Sequence, residues 1–465
     1  MPINSFDDYP MNWTPLLKDR TPPLYTKLAT MLAEDIKKGI LRPGMKLPPQ
    51  RELADFLDVH LSTITRTYKL CEKQGLICAR VGQGTFIASD VNTSNVLLYP
   101  HNKNNLIQLG TILPPADGNE KIIALLREAT KSPDFSRFLN YRESYGTPAQ
   151  REFFSHWLQN IDIHCPASQL LLATGGQNAL SAALLALFRP GERIGTLPLT
   201  FPSLKGIARM IGIQLIPLPV SAKNPCQLDL HQLESFLQQE HIRGLYLIPD
   251  QSNPTTYTMP LAERQEIARI AKATDVILIE DAINRMFTSE KIPPFYSLAP
   301  NNTVYIFSTS KFLAAGLRTA IICTAEKYLS PLQQTLYNLN LMISPLNAEL
   351  VHRIFRAGLV DEILEEKRKV IRRRNQLADS IFPHTLQGNT DCTFRWMLLP
   401  SGFRKKSISV EELALKENVQ VFDADRFAIG NAVPPAAIRL CATAPKTEEE
   451  LVKGLQILKS IINQY

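Results

Sequence analysis

Ser308-Thr309-Ser310-Lys311 follows the apolar run Thr303 to Phe307, and Gly316-Leu317-Arg318 comes within the next seven residues. A lysine amine condenses with a carbonyl to form a Schiff base, and burial lowers its pKa enough to make it a nucleophile. The hydroxyls of Ser308 and Ser310 and the fork of Arg318 suit a phosphate held beside that nitrogen. Together these side chains can hold a phosphorylated aldehyde. The plainer alternative is a lysine capping a strand end above a basic loop, and a short motif is only a hypothesis until its surroundings agree.

Two other groups have chemistry to offer. Thr174-Gly175-Gly176-Gln177 ends one apolar run and opens a helical one, so its backbone can approach a ligand closely. Free N–H groups and the helix dipole there favour a phosphate. Asp281 follows Val276-Ile277-Leu278-Ile279-Glu280. A carboxylate buried behind such a run needs a cationic partner.

These groups need a scaffold that brings them together. From about Leu106 the chain alternates short apolar runs with helical patterns: Leu170–Thr174, Arg193–Leu199, Gln214–Leu218, Gly244–Ile248, Val276–Ile279 and Thr303–Phe307. The alternation predicts an α/β body, a mainly parallel sheet wrapped by helices. In such sheets ligand groups gather at the carboxyl ends of the strands, where each of the candidates falls. A charged helix over Glu362 to Leu377 and strands near Arg395–Leu399 and Ile438–Ala442 predict a smaller unit over 331–465. Arg372-Arg373-Arg374 reads as a solvated face of that helix.

The first ninety residues have a different rhythm. Leu24, Leu28, Leu32 and Ile36 repeat every four residues, and Gly39 ends that helix. A second helix starts at the prolines before Gln50. A third places Leu61, Ile64, Tyr68 and Cys71 on one side and Ser62, Arg66, Lys69 and Lys73 on the other. Gly75 stops it, and Leu76–Arg80 and Thr85–Ile87 alternate as two strands around Val81–Gly84. Three helices and a hairpin make a winged helix-turn-helix, whose polar face suits the phosphates and base edges of a major groove. A merely solvated face is the ordinary fate of such a row. Residues 88–106, rich in Asn and Ser, read as a linker.

Composition excludes some functions. At 465 residues the chain needs more than one core. A net charge of +7 permits a nucleic-acid partner without demanding one. The seven cysteines are scattered with no C-x-x-C spacing, which argues for free thiols in a reducing cytoplasm and against a disulfide frame or a zinc site. No leader is indicated at Met1–Ser5, and the apolar run Ala179 to Phe188 is too short to span a bilayer. A cytoplasmic protein with no membrane or metal partner is expected.

Gly39–Ala54 (G-I-L-R-P-G-M-K-L-P-P-Q-R-E-L-A), then T-I-T-R-T-Y-K-L, Q-G-L-I and G-Q-G-T-F-I, resemble the N-terminal domain of GntR-type regulators. The resemblance implies that Arg51, Ser62, Thr63, Arg66 and Lys69 meet a double-stranded DNA operator, with Gln83 and Gly84 of the wing near the minor groove. Leu61 stands where many relatives have a polar donor.

The lysine segment, read as S-x-S-K-x-x-x-x-G-x-R, resembles that of fold-type I aminotransferases, which bind pyridoxal phosphate. By this resemblance Lys311 carries the cofactor, and Gly175, Gly176, Gln177, Ser308, Ser310 and Arg318 hold its phosphate. Phe201 stacks on its ring, Asn253 of Asn253-Pro254-Thr255 bonds its phenolic oxygen, and Asp281 pairs with its ring nitrogen. Tyr141 reaches the phosphate of a neighbouring subunit, and Arg439 of Ala437-Ile438-Arg439-Leu440 clamps a substrate carboxylate.

The pairing of both parts resembles the MocR (GabR-like) family of bacterial transcription regulators. It implies four parts: a DNA-binding domain over 1–87, a linker over 88–106, a large cofactor domain over 107–330 and a small domain over 331–465. It further implies a head-to-tail homodimer and an amino acid or other amine as effector. Where relatives carry a tyrosine just past the aspartate, this chain has Ile283 and Asn284. Thr256 replaces a glycine, and Ala315 replaces a proline. These departures predict binding with at most a slow half-transamination. The alternative is a working aminotransferase with an accessory DNA-binding module.

Overall fold

The structure, a computed structural model, describes residues 11–17, 21, 23–80, 82–88, 105–288, 290–400, 402–403 and 409–464, with Lys73 and Arg80 described in their backbone alone. The expected linker falls almost wholly on residues 89–104, outside the described residues.

Helix α1 (Leu24–Lys37) buries Leu28, Ala29, Leu32 and Ile36; of the predicted stripe, Leu24 at the first position is only half-buried, and Ala29 joins the buried face. Helix α2 (Gln50–Leu57) starts after Pro49, and α3 (Leu61–Lys73) is capped by His60, whose ring nitrogen accepts from the Ser62 N–H. Strands β1 (Ile77–Arg80) and β2 (Gly84–Ile87) pair antiparallel from Ile77↔Ile87 to Arg80↔Gly84. Ile64, Tyr68 and Cys71 are buried as expected, but Leu61 is 39% exposed. A helical stripe is covered only along the length a neighbour reaches, and Leu61 is the first residue of its helix.

In the body, β3 (Ile107–Gln108) precedes a seven-stranded sheet. Its strands are β4 (Leu170–Ala173), β5 (Arg193–Thr196), β6 (Gln214–Pro217), β7 (Ile242–Leu247), β8 (Ile277–Asp281), β9 (Thr303–Ser308) and β10 (Ala320–Thr324). The spatial order is β4-β10-β9-β8-β7-β5-β6. All six predicted runs are strands, and β5 to β9 are parallel.

The seventh strand, β10, is antiparallel to both β4 and β9. Only the single 3-10 turn Ala315–Leu317 separates it from β9, so strand–helix alternation did not mark it. Its direction matters, because an antiparallel strand begins where its neighbours end. Ala320 pairs with Ser308 and with Ala173, so Arg318 arrives at the same edge as Lys311 and Gly175.

The C-terminal unit carries β11 (Leu386–Gln387), β12 (Arg395–Leu398), β13 (Val419–Gln420), β14 (Phe422–Asp423) and β15 (Ala437–Leu440). Four of them form an antiparallel sheet, β11-β12-β15-β14, while β13 pairs in parallel with β3. The long helix Leu359–Ile381 covers the expected segment and more. Its arginine run is not simply solvated. Arg373 pairs with Glu448 at 2.7 Å, and Arg374 Nη1 donates to Pro445 O at 2.7 Å, tying the helix to the C-terminal segment. Among the described residues no helix is long and apolar enough to cross a membrane.

Candidate functional site

At the carboxyl edge of the large sheet, Gly175 adopts φ +84, and a Cβ built on it would lie 2.5 Å from Arg318 Nη2. Glycine is required there for the guanidinium to lie against the turn. Gly176 opens the helix Gly176–Leu187, and its ideal Cβ would sit 3.1 Å from the Ser308 Cβ. Asn178 Oδ1 accepts from the Thr174 N–H at 3.0 Å and holds this turn. Arg318 Nη1 donates to Ser310 Oγ at 3.0 Å, and Ser308 Oγ to Ser310 Oγ at 3.3 Å. Hydroxyls, a guanidinium and a helix N-terminus thus converge at one place, a set of donors that suits a phosphate. Gln177 stands exposed at its rim.

Lys311 follows at once. Its Nζ donates to Ile112 O at 2.8 Å. Burial pulls the amine down to about 8, with Arg439 and Arg318 repelling its proton further. Next to it along the sheet, Asp281 ends β8. It accepts from the Tyr246 hydroxyl at 2.7 Å and from the Ile283 N–H at 3.2 Å. Burial raises its pKa, those two hydrogen bonds oppose the rise, and no cation contributes among the described residues. The predicted need for a cationic partner is therefore unmet among them.

Arg439, 1% exposed, donates to Asn253 Oδ1 and to Gly110 O, both at 2.7 Å. The rings of Phe427, Phe422 and Phe394 wall it at 4.7, 5.6 and 5.7 Å, and its Nε has no partner among the described residues. Burial lowers its pKa to about 10, which still leaves a cation at neutral pH. A buried guanidinium contacting amide oxygens, with no carboxylate among these partners, suits an arriving carboxylate.

Asn253 belongs to a loop pinned from behind. Arg264 and Asp250 pair at 2.7 Å with side chains 0% and 1% exposed, and Arg264 also donates to Pro249 O and Met259 O. The Asn253–Pro254 bond is cis. Thr256 has φ +62, the left-handed conformation that favours glycine, at the very position where it replaces one.

Phe201 precedes the helix Pro202–Ile211, half-buried against the apolar cluster beneath the sheet. Tyr141 is 79% exposed. Ile283 is half-buried, while Asn284 Nδ2 donates to Gln251 O at 2.9 Å, a structural bond. Sequence reading missed Tyr246, Asn178 and the Gly110–Ile112 segment. A lone tyrosine within an aliphatic strand was the one available signal.

On the N-terminal unit, Arg51, Ser62, Arg66, Lys69, Gln83 and Gly84 are exposed, and Thr63 is half-buried. The Ser62 Oγ lies 2.7 Å from His60 Nδ1.

Comparison with known proteins accounts for both halves. The family "Aminotransferase class I and II" matches residues 104–458, and "Bacterial regulatory proteins, gntR family" matches 24–87. The chain therefore belongs to the helix-turn-helix transcription regulators of the MocR/PdxR type, which join a GntR DNA-binding domain to an aminotransferase-like domain of fold type I. It is 39% identical over all of its length to YdeF of Bacillus subtilis (strain 168), described as an uncharacterized HTH-type transcriptional regulator, and covers 99% of that protein. It is 28% identical to the 2-aminoadipate transaminase of Thermus thermophilus, over 66% of this chain and 77% of that one. The fold resembles that of the α-aminoadipate aminotransferase LysN, also from Thermus thermophilus, solved with N-(5'-phosphopyridoxyl)-L-leucine. Here the TM-score is 0.66 and the identity 24%, across 78% of this chain and 93% of that one. The aminotransferase family and such neighbours imply dependence on pyridoxal phosphate.

Proposed function

We propose that this regulator binds pyridoxal phosphate at Lys311, senses an amino compound through Lys311 and Arg439, and converts that event into a change in operator binding. One observation carries the reading: three charge-bearing groups of the site, with Asp281 and Arg439 buried and Lys311 half-buried, each lack an oppositely charged side chain among the described residues. Lys311 is poised as an amine, Asp281 has no cation, and Arg439 has no carboxylate. Pyridoxal phosphate, when bound, supplies an aldehyde for the lysine and a protonated ring that withdraws electrons from the substrate carbon.

The residues around it have distinct tasks. Gly175, Gly176, Ser308, Ser310 and Arg318 hold the phosphate, and Tyr141, exposed on this subunit, serves the site of a second subunit in a head-to-tail homodimer. Asp281 keeps the ring nitrogen protonated, Asn253 orients the phenolic oxygen, and Phe201 covers the ring. Tyr246 holds one Asp281 oxygen in place. Arg439 selects amines that also bear a carboxylate. With Asn284 committed to Gln251 O and Ile283 apolar, no phenol follows Asp281 to steer turnover, which supports binding with at most slow half-transamination. Arg51, Ser62, Thr63, Arg66 and Lys69 contact the operator, with Gln83 and Gly84 at the wing. DNA binding of this kind belongs to the cytoplasm.

The test is a visible absorption titration with pyridoxal phosphate on wild type and Lys311→Ala. The expected result is a band present in the first and lost in the second, changing further when a panel of amino acids and simple amines is added. A wild type that stays colourless overturns the cofactor reading. Rapid multiple turnover with a keto acid would instead favour a working aminotransferase with an accessory DNA-binding module.

A further inference from the structure

Residues 109–115 lie against the cradle as a strap held by its backbone carbonyls. Leu109 O accepts from the Cys441 N–H at 2.7 Å, Gly110 O from Arg439 Nη2 at 2.7 Å, and Ile112 O from Lys311 Nζ at 2.8 Å. Leu113 O accepts from Thr443 Oγ1 at 2.6 Å, and Pro115 O from Lys367 Nζ. Carbonyls of an irregular segment ordinarily face water. Here five tethers in seven residues fasten the segment, and two of the five donors are the cations of the site. The strap also packs closely, since a Cβ on Gly110 would lie 3.0 Å from the Phe422 ring that flanks Arg439. Its amino end is β3, paired with β13, and β3 continues directly into residues 88–106, the covalent link to the DNA-binding unit.

We propose that this strap is an internal competitor for Lys311 and Arg439, and that its release carries ligand occupancy to the DNA-binding unit. The proposal rests on the reading above in one respect, that ligands of the cradle engage those two side chains. A Lys311 nitrogen bonded covalently to a ligand carbon has fewer hydrogens for Ile112 O. A carboxylate at Arg439 competes with Gly110 O for the same N–H groups. Cofactor at Lys311 thus weakens one middle tether and a carboxylate at Arg439 the other, while Cys441, Thr443 and Lys367 keep the rest. The strap then has two arrangements, and a ligand that favours one of them biases whatever is joined to it.

Hydrogen exchange of the full chain, read by mass spectrometry on peptides spanning 105–118, tests this directly. Pyridoxal phosphate loading should raise exchange across the strap several-fold. Lys311→Ala should raise it without any cofactor, and so should Thr443→Val, which touches neither the cofactor nor the effector groups. Thr443→Ser keeps the hydroxyl and should return wild-type exchange, separating tether loss from general damage. Thr443→Val should also shift affinity for a duplex selected from a random library by the wild-type protein, in the direction that cofactor plus a responding amino acid shifts wild type. A wild type that gains the visible band without altered strap exchange overturns the strap and leaves the cofactor reading intact. If the band never forms, the cofactor reading fails. Unchanged exchange in Lys311→Ala and Thr443→Val then overturns the strap as well.

Discussion

The amine of Lys311 offers a quantitative handle. Lowered to about 8 from 10.5, it leaves roughly one lysine in ten neutral at pH 7, against about one in three thousand for an unperturbed side chain. Only the neutral amine attacks an aldehyde. The second-order rate of pyridoxal phosphate capture, followed in the visible band, should therefore climb about fivefold between pH 7 and 8 and about twofold between 8 and 9, then level off. The sign follows from the cause: burial disfavours the charged form, so deprotonation is complete at lower pH than in water. Lys311→Ala supplies the baseline, since any remaining colour change there reports surface lysines. A capture rate that keeps rising about tenfold per pH unit through pH 10 would mean an ordinary, water-exposed amine. The burial argument, with the repulsion from Arg439 and Arg318, would then be wrong.

Two further outcomes are expected. Arg264→Met should destabilise the chain by up to about 3–5 kcal/mol in urea melts, because it leaves the buried Asp250 only the longer 3.6 Å pairing with Arg285. The double variant with Asp250→Asn should recover much of that, and a loss below about 1 kcal/mol for Arg264→Met would remove the loop-anchoring role. On the N-terminal unit, Arg66→Ala should weaken binding to the selected duplex and lower its logarithmic salt slope by about one, measured by fluorescence anisotropy across salt concentrations. An unchanged slope would mean that this exposed cation does not meet a phosphate.

Much was legible from local pattern. Helical steps of three and four marked α1 and the buried side of α3, and short apolar runs marked six strands, because those periods report which face of an element is covered. The cofactor candidates stood at the carboxyl ends of those runs, and parallel topology makes such ends neighbours. The sequence by itself therefore determined the winged helix, the α/β body and the residue types at the sheet edge.

Tertiary structure decided the partners. Lys311 and Ile112 are 199 residues apart, and Arg439 and Gly110 are 329 apart. Nothing local in either segment announces those bonds, which arise only once β3 pairs with β13. The antiparallel insertion of β10, which sets Arg318 against Gly175, likewise depends on which strands flank it and not on its own apolar composition. Leu61 fits the pattern of its helix and yet faces outward, since burial needs a neighbour as well as an apolar side chain. Pattern along the chain encodes faces, and only packing across the chain assigns what each face meets.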